Sequence, residues 1–303
     1  MGKVIILFKN WLFNVNRDIQ KLSQDRGHYC PLAFNIIRVF SSALPFFYIC
    51  NSNTKRRLHM HTLNISLPKS WQALTDIQLR FAYHLLASNY SLPQVRIHCL
   101  LKWGDIKVIA KQGNIFIVKH KGQLYPLSLM QITETSASLN WLGEIPSFPV
   151  QLARICFHHP VRADFQDVSF EDYLTLDNLY QGFLQTQRSS LLQDMAKILY
   201  RTRFIFLRRE EELSIFYWLT AVKQMFARLF PNFLKRIPSD NAFSNAPSMK
   251  DLQDSMNAQI RALTGGDITK ESEVLKMNCW RALTELDAKA KDAESIKKIH
   301  ASK

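Results

Sequence analysis

A mainly α-helical chain, with one small β-hairpin in an α+β lobe near 63–127 and a helical hairpin at its C-terminus, is the fold class the sequence predicts. Apolar residues recur at three- and four-residue spacing through most of the chain beyond residue 75, the period of an amphipathic helix. The stretch 106–127 departs from that period and reads as β-branched runs divided by turn residues. Hydrophobic residues at 47% and charged residues at 21%, with only nine Gly and eleven Pro in 303 residues, exclude collagen-like, low-complexity and largely disordered classes.

Residues 1–59 read unlike the rest. Apolar runs at 4–8 and 31–50 flank a polar stretch, and a basic cluster of Lys55, Arg56 and Arg57 follows. The 31–50 run has 20 residues, about the length a membrane helix needs. It holds Asn35, Arg38 and Pro45, however, and a central Arg costs roughly 2.5–3.5 kcal/mol on insertion scales. No short basic segment leads directly into an apolar run, as a secretory signal requires. The expectation is an N-terminal extension over 1–59, with Met60 as the alternative start, and no membrane association unless 31–50 is a genuine anchor.

From residue 60 the elements follow in order. A short strand at 63–67 ends at Pro68. Thr75 and Gln78 have capping-box spacing and open a helix along Leu79, Ala82, Tyr83 and Leu86 to about Ser88. Ser91 and Gln94 repeat that spacing for a second helix, which stops at Gly104. Runs at 106–110 and 115–120 are separated by Gln112, Gly113 and Asn114, a hairpin signal. A third strand at 124–127 is confined to an edge by Pro126. Helical spacing resumes over 128–142. Ser169, with Glu171 and Asp172 behind it, opens a helix through Gln185, its acids placed as the helix dipole prefers. Another helix covers 190–200. Glu210 starts a strongly apolar helix to Phe230, and its apolar residues on nearly all sides put it at the centre of the core. Residues 238–248 read as a linker. Helices over 249–263 and 270–296, joined through Gly265 and Gly266, form the C-terminal hairpin. The expected organisation is a helix-helix-hairpin lobe over 60–145, a helical domain over 146–237, the linker, and the hairpin over 249–303.

The formal charge of +14 is unevenly spread. Residues 1–60 carry nine Lys/Arg against two Asp, and 61–121 carry eight basic against two acidic residues. Residues 122–248 have twelve of each, and 249–303 ten against nine. Basic character is therefore an N-terminal property. Within 75–125 the order helix, helix, basic hairpin is that of a winged helix, whose second helix enters the major groove while its wing touches the backbone. Arg96 and Lys102 on the helix, with Lys107, Lys111, Lys119 and Lys121 on the hairpin, are the candidate nucleic-acid contacts. The competing reading is a solvated sheet edge protected by lysines. The second candidate surface is the last helix, where Leu275, Cys279, Ala282, Leu283, Leu286, Ala290, Ala293 and Ile296 form an apolar stripe. Trp280, Leu283, Leu286 and Ala290 are the candidate protein contacts there, against the plainer reading that the stripe packs on the preceding helix.

Five scattered cysteines, an odd number without a C-x-x-C pair, fit a reducing compartment, so a cytoplasmic location is expected. Cys156, His158 and His159 are the only local cluster of soft ligands, His59 and His61 lie at the doubtful start, and no matching Cys/His pair accompanies either, so no metal or other cofactor is expected. No phosphate-binding loop, dinucleotide fingerprint, nucleophile elbow or zinc-protease motif occurs, and no catalytic residue is assigned.

The segments 67–75, 214–218, 261–270 and 279–287, above all Arg261 through Lys270 and Cys279 through Asp287, resemble a family of uncharacterised bacterial proteins. The resemblance covers about residues 60–303. It implies no activity and no site residues, and it is similar in kind to accessory proteins of prophages and mobile elements. The expected function is a non-enzymatic interaction or assembly protein with a protein partner or self-association. Nucleic-acid binding through the 75–125 lobe is the alternative.

Overall fold

The computed structural model describes residues 63–88, 90–234 and 249–301. The N-terminal extension, including 31–50, and the expected linker at 238–248 lie outside the described residues. Local capping chemistry starts the first two helices. The Gln78 N–H donates to Thr75 Oγ1 (3.3 Å) and the Thr75 N–H to Gln78 Oε1 (3.0 Å), opening α1, Asp76–Ala87. The Ser91 N–H donates to Gln94 Oε1 (2.8 Å), and Pro93 occupies the first turn of α2, Leu92–Trp103. The strand expected at 63–67 does not form. Among the described residues its backbone finds no neighbouring ladder to join, and the segment stays irregular.

The change of period after Gly104 does produce strands. β1 (Lys107–Gln112), β2 (Ile115–His120) and β3 (Gln123–Ser128) form an antiparallel sheet in that order, with β2 central. Gly113 takes φ +59° in the first turn. In the second, Lys121 and Gly122 both have positive φ (+47° and +86°), the pattern of a type I′ turn. Pro126 lies on edge strand β3 opposite Ile117, where its missing N–H costs no ladder bond on the outer side. A register shift leaves Ile109 as a bulge in β1. Phe116, Val118 and His120 on one side of β2 are buried. α3 (Leu129–Ala137) follows and stops short of the expected 142. The hydroxyls of Ser136 and Ser138 turn back onto the carbonyls of Thr133 and Thr135, and a 3-10 turn over Asn140–Gly143 takes over.

Backbone contacts divide the chain into two units. One holds 63–66 and Asp105–Gln131, the sheet; the other holds Leu67–Gly104 and Ile132–Lys303. The second unit is built around α6 (Arg209–Leu229), with α4 (Phe170–Thr186) and α5 (Ser189–Leu199) beside it. Every residue of α6 from Leu213 to Val222 is buried, as its all-round apolar sequence demands. α1 and α5 pack on it. From α4, Tyr180 stacks on Phe216, Phe183 meets Phe216 at a tilt and Tyr173 meets Phe226 edge-on at 5.7 Å. Several polar groups in this core are paired: Trp218 Nε1 donates to the Ala163 carbonyl (2.8 Å), Tyr180 Oη and Thr220 Oγ1 lie 3.0 Å apart, and Lys223 pairs with Asp177, whereas the buried Tyr83 hydroxyl has no partner among the described residues.

The C-terminus is helical and folds back on itself, as expected, but the second arm of the hairpin is divided in two. α7 (Met249–Thr264) leads through Gly265 and Gly266, both at positive φ, into α8 (Glu271–Lys276) and then α9 (Cys279–Ala301). The helix expected over 270–296 is broken at Met277 and Asn278 by a distant partner. There the chain pairs with the start of α4: the Phe170 N–H donates to the Met277 carbonyl (2.7 Å) and the Cys279 N–H to the Val168 carbonyl (3.0 Å). Asn278 Oδ1 then accepts the Trp280 N–H (2.9 Å) and caps α9. α9 packs on α4 and α7 through Cys279, Ala282, Leu283 and Leu286, whereas Ala293 and Ile296 are exposed. Among the described residues no helix is long and apolar enough to cross a membrane.

Candidate functional site

The two surfaces marked in the sequence fare differently. Lys107, Lys111, Lys119 and Lys121 are all exposed on the sheet unit, where Asp105 is the only acid between 105 and 131. Lys107 stands directly opposite Lys119 in the β1–β2 register, a like-charge pair that an anion would relieve. Lys111 lies with its ammonium 5.5 Å from the Phe116 ring centroid. Arg96 and Lys102 belong to the other unit. Lys102 is exposed, but Arg96 is half-buried, with its Nε shut off from solvent and its guanidinium against Gly143. Arg96 thereby packs within its own unit, in contrast to the exposed lysines of the sheet.

On α9, the candidate protein contacts are corrected by burial. Leu283 and Leu286 are core residues, at 0% and 3% exposure. Trp280 donates its indole N–H to the Asp164 carbonyl (2.7 Å) and meets Phe226 and Phe230 edge-on. Ala290 is half-buried. Trp280, Leu283 and Leu286 hold α9 to the body. Around Cys156, His158 Nε2 lies 3.4 Å from Thr202 Oγ1, and among the described residues no group of three or more His, Cys, Asp or Glu is gathered to hold a metal.

A third surface was not singled out in the sequence. Residues 155–158 make a tight turn, closed by mutual backbone hydrogen bonds between Ile155 and His158 (3.2 and 3.0 Å), and Cys156 takes φ +52° there. Phe157, at the tip, is 92% exposed. The loop between α5 and α6 runs beside it: Cys156 Sγ approaches the Phe206 carbonyl at 4.0 Å, and Thr202 meets His158. In this second loop Phe204 and Phe206 are 80% and 81% exposed while Ile205 between them is buried at 5%. Alternation of an extended segment thus sends two phenylalanines out and one isoleucine in. Arg154, Arg203, Arg208 and Arg209, all exposed, flank the three rings.

Both loops are fixed from beneath by one network. Asp76 Oδ1 accepts the Ala153 N–H (2.8 Å), and Asp76 Oδ2 accepts Arg80 Nε (2.8 Å). Arg80 also donates to the Arg154 carbonyl and to Glu211 Oε1 (3.4 Å), and buried Glu211 accepts the Arg208 N–H (2.8 Å). Tyr200 Oη donates to the Leu152 carbonyl (3.2 Å), and Arg201 is held by Asp167 (3.1 Å). The carboxylates at the start of α6 are engaged in or turned toward the body: Glu210 lies 4.0 Å from His84, and burial pushes the Glu212 carboxyl up to about 7 against the opposing pull of Arg209. The rim therefore presents arginines and aromatic rings on a rigid base.

A cleft of about 680 Å³ lies between the 148–151 segment, the end of α6 and Trp280. Its two guanidiniums are engaged within the chain. Arg162 grips Asp164 (3.3 Å), and Arg228 donates to the Ser147 carbonyl while lying over the Phe148 ring at 5.7 Å. The exposed thiol Cys156 and the buried Cys99 and Cys279 are unpaired, and burial pushes both buried thiols up to about 12, which makes them poor nucleophiles. No family model matches this chain, and no curated protein or solved structure gives a significant match to it.

Proposed function

We propose that this chain is a non-catalytic interaction protein of the cytoplasm that docks onto a larger assembly through the rim formed by Phe157, Phe204 and Phe206. The observation that carries the reading is the near-complete exposure of three phenylalanines on two adjacent, hydrogen-bonded loops. Full burial of one such side chain is worth about 1.5–3 kcal/mol, and exposed apolar side chains gathered on neighbouring loops mark interaction sites. Because the loops are already ordered, docking loses little conformational entropy. The unpaired thiols support the cytoplasmic location. Gradient sedimentation of a native lysate tests the reading. The wild-type chain should run well above its 35.3 kDa mass, and the Phe157→Ser/Phe204→Ser/Phe206→Ser variant should return to the monomer position. A wild-type chain already at the monomer position sinks it.

A second reading rests on a separate observation, the four exposed lysines of the sheet with the Lys107–Lys119 pair at their centre. Nucleic-acid retention through them would be salt-dependent. Lys119→Gln with Lys121→Asn, which keeps a residue tolerant of positive φ in the turn, should lower the slope of log affinity against log salt by up to about 0.9 for each phosphate no longer neutralised. An unchanged slope removes the sheet from the interface.

A further inference from the structure

Resting on the reading of the rim as a docking surface, we infer that what it docks on is an anionic lipid surface, contacted peripherally. The arrangement matches the two layers of a membrane interface. Phe157, Phe204 and Phe206 are bare hydrocarbon rings without a polar atom, suited to the boundary between headgroups and acyl chains. Arg154, Arg203, Arg208 and Arg209 stand around them as phosphate-binding forks, and a guanidinium pairs with a phosphate through two parallel hydrogen bonds. The nearby acids do not oppose this. Asp167 is taken by Arg201, Glu211 is buried between Arg80 and the Arg208 amide, and Glu210 faces His84. Glu212 is half-buried and draws on Arg209 alone, which leaves Arg154, Arg203 and Arg208 to the lipid. Geometry favours lipid over a folded partner, because the rings are carried outward at 92%, 80% and 81% exposure, whereas anchor residues of protein interfaces are held in well-packed pockets. Arg203, Phe204 and Phe206 followed by Arg208 and Arg209 place cation, rings and cation along one extended segment.

Flotation with vesicles tests this directly. The full chain should rise with phosphatidylcholine vesicles containing about 30 mol % phosphatidylserine and stay below with pure phosphatidylcholine. Arg203→Gln and Arg208→Gln should each weaken partition about fivefold. Each Phe→Ser change at 157, 204 or 206 should weaken it about tenfold or more, with far-UV circular dichroism unchanged because none of these side chains is packed. Equal flotation with both vesicle types, or flotation that survives the triple serine variant, overturns the inference. So does a wild-type chain that fails to float yet keeps its heavy position in a detergent-treated lysate; that result assigns the rim to a protein partner and leaves the docking reading standing. A chain that neither floats nor sediments above its monomer mass removes both.

Discussion

The interior around α6 and the rim over its N-terminal end use the same residue in opposite ways. Phe165, Phe183 and Phe226 are at most 1% exposed, and they meet Trp218, Phe216 and Trp280 at centroid distances of 5.9, 5.6 and 5.5 Å. Phe157, Phe204 and Phe206 belong to the same unit and stand almost wholly in solvent. A shortage of core cannot explain the difference, since the smaller Ile205 is the side chain sent inward between two outward rings. The hydrophobic effect alone would have chosen the reverse register. The network from Asp76 and Arg80 holds the loops in the register observed, and that is what makes exposure at the rim a property of the fold.

The largest expected effect separates the two populations outright. Phe226→Ala should cost about 3–5 kcal/mol, the range for truncating a packed aromatic, whereas Phe206→Ala should stay within about 0.5 kcal/mol of the parent. Urea midpoints at constant slope measure both. If Phe206→Ala costs as much as Phe226→Ala, the rim is core and the comparison collapses.

Next in size is the junction between the regions. Arg80→Met strips Glu211 of its charge partner and frees the Arg154 carbonyl, and should cost about 2–3 kcal/mol. Amide exchange at Ala153 and Arg208 should quicken with it, since their N–H groups donate to Asp76 and Glu211, the two carboxylates that Arg80 bridges. Adding Glu211→Leu should recover much of the loss, because a buried carboxylate with no cation is worse than an apolar side chain in its place. Loss of stability without faster exchange at those two amides means that Arg80 does not position the loops.

What could be read from the sequence was what neighbours in the chain decide. Thr75 with Gln78, Ser91 with Gln94, the Gln112–Ile115 turn and the apolar girth of α6 each act within a few residues, and each stands where it was expected. The break at Met277 has no local mark, because its cause is Val168 and Phe170 more than a hundred residues away. The strand expected at 63–67 had suitable residues but no partner among the described residues. Lysines of the sheet were visible as a charge count, but the burial of Arg96 depends on Gly143, in another element. The rim itself left one local signal, two phenylalanines astride Ile205 between Arg203 and Arg208. That alternation reads as a half-buried strand, and only the Arg80–Glu211 bridge, spanning 131 residues, decides which side faces water.

The smallest effect tests how far the rim's charge reaches into the interior. Glu212 lies half-buried one residue past the anchoring Glu211, and its carboxyl titrates at about 7 instead of the ordinary 4.5 because burial penalises its charge, with Arg209 of the rim pulling the other way. Between those two values the folded chain holds a proton that the unfolded chain has released. Stability must then fall as pH rises from about 4.5 to about 7, and the full penalty persists above. Glu212→Gln should abolish that slope and raise stability at pH 8 by about 1 kcal/mol, allowing for solvent screening of a half-buried group. Arg209→Gln should act oppositely. With the rim cation gone, the carboxyl shifts higher and the fall in stability extends to higher pH. Melting temperatures across pH 4 to 9 for the three proteins decide it. If Arg209→Gln leaves the curve where it was, the rim's arginines face solvent alone, and their charge is spent entirely on whatever docks there.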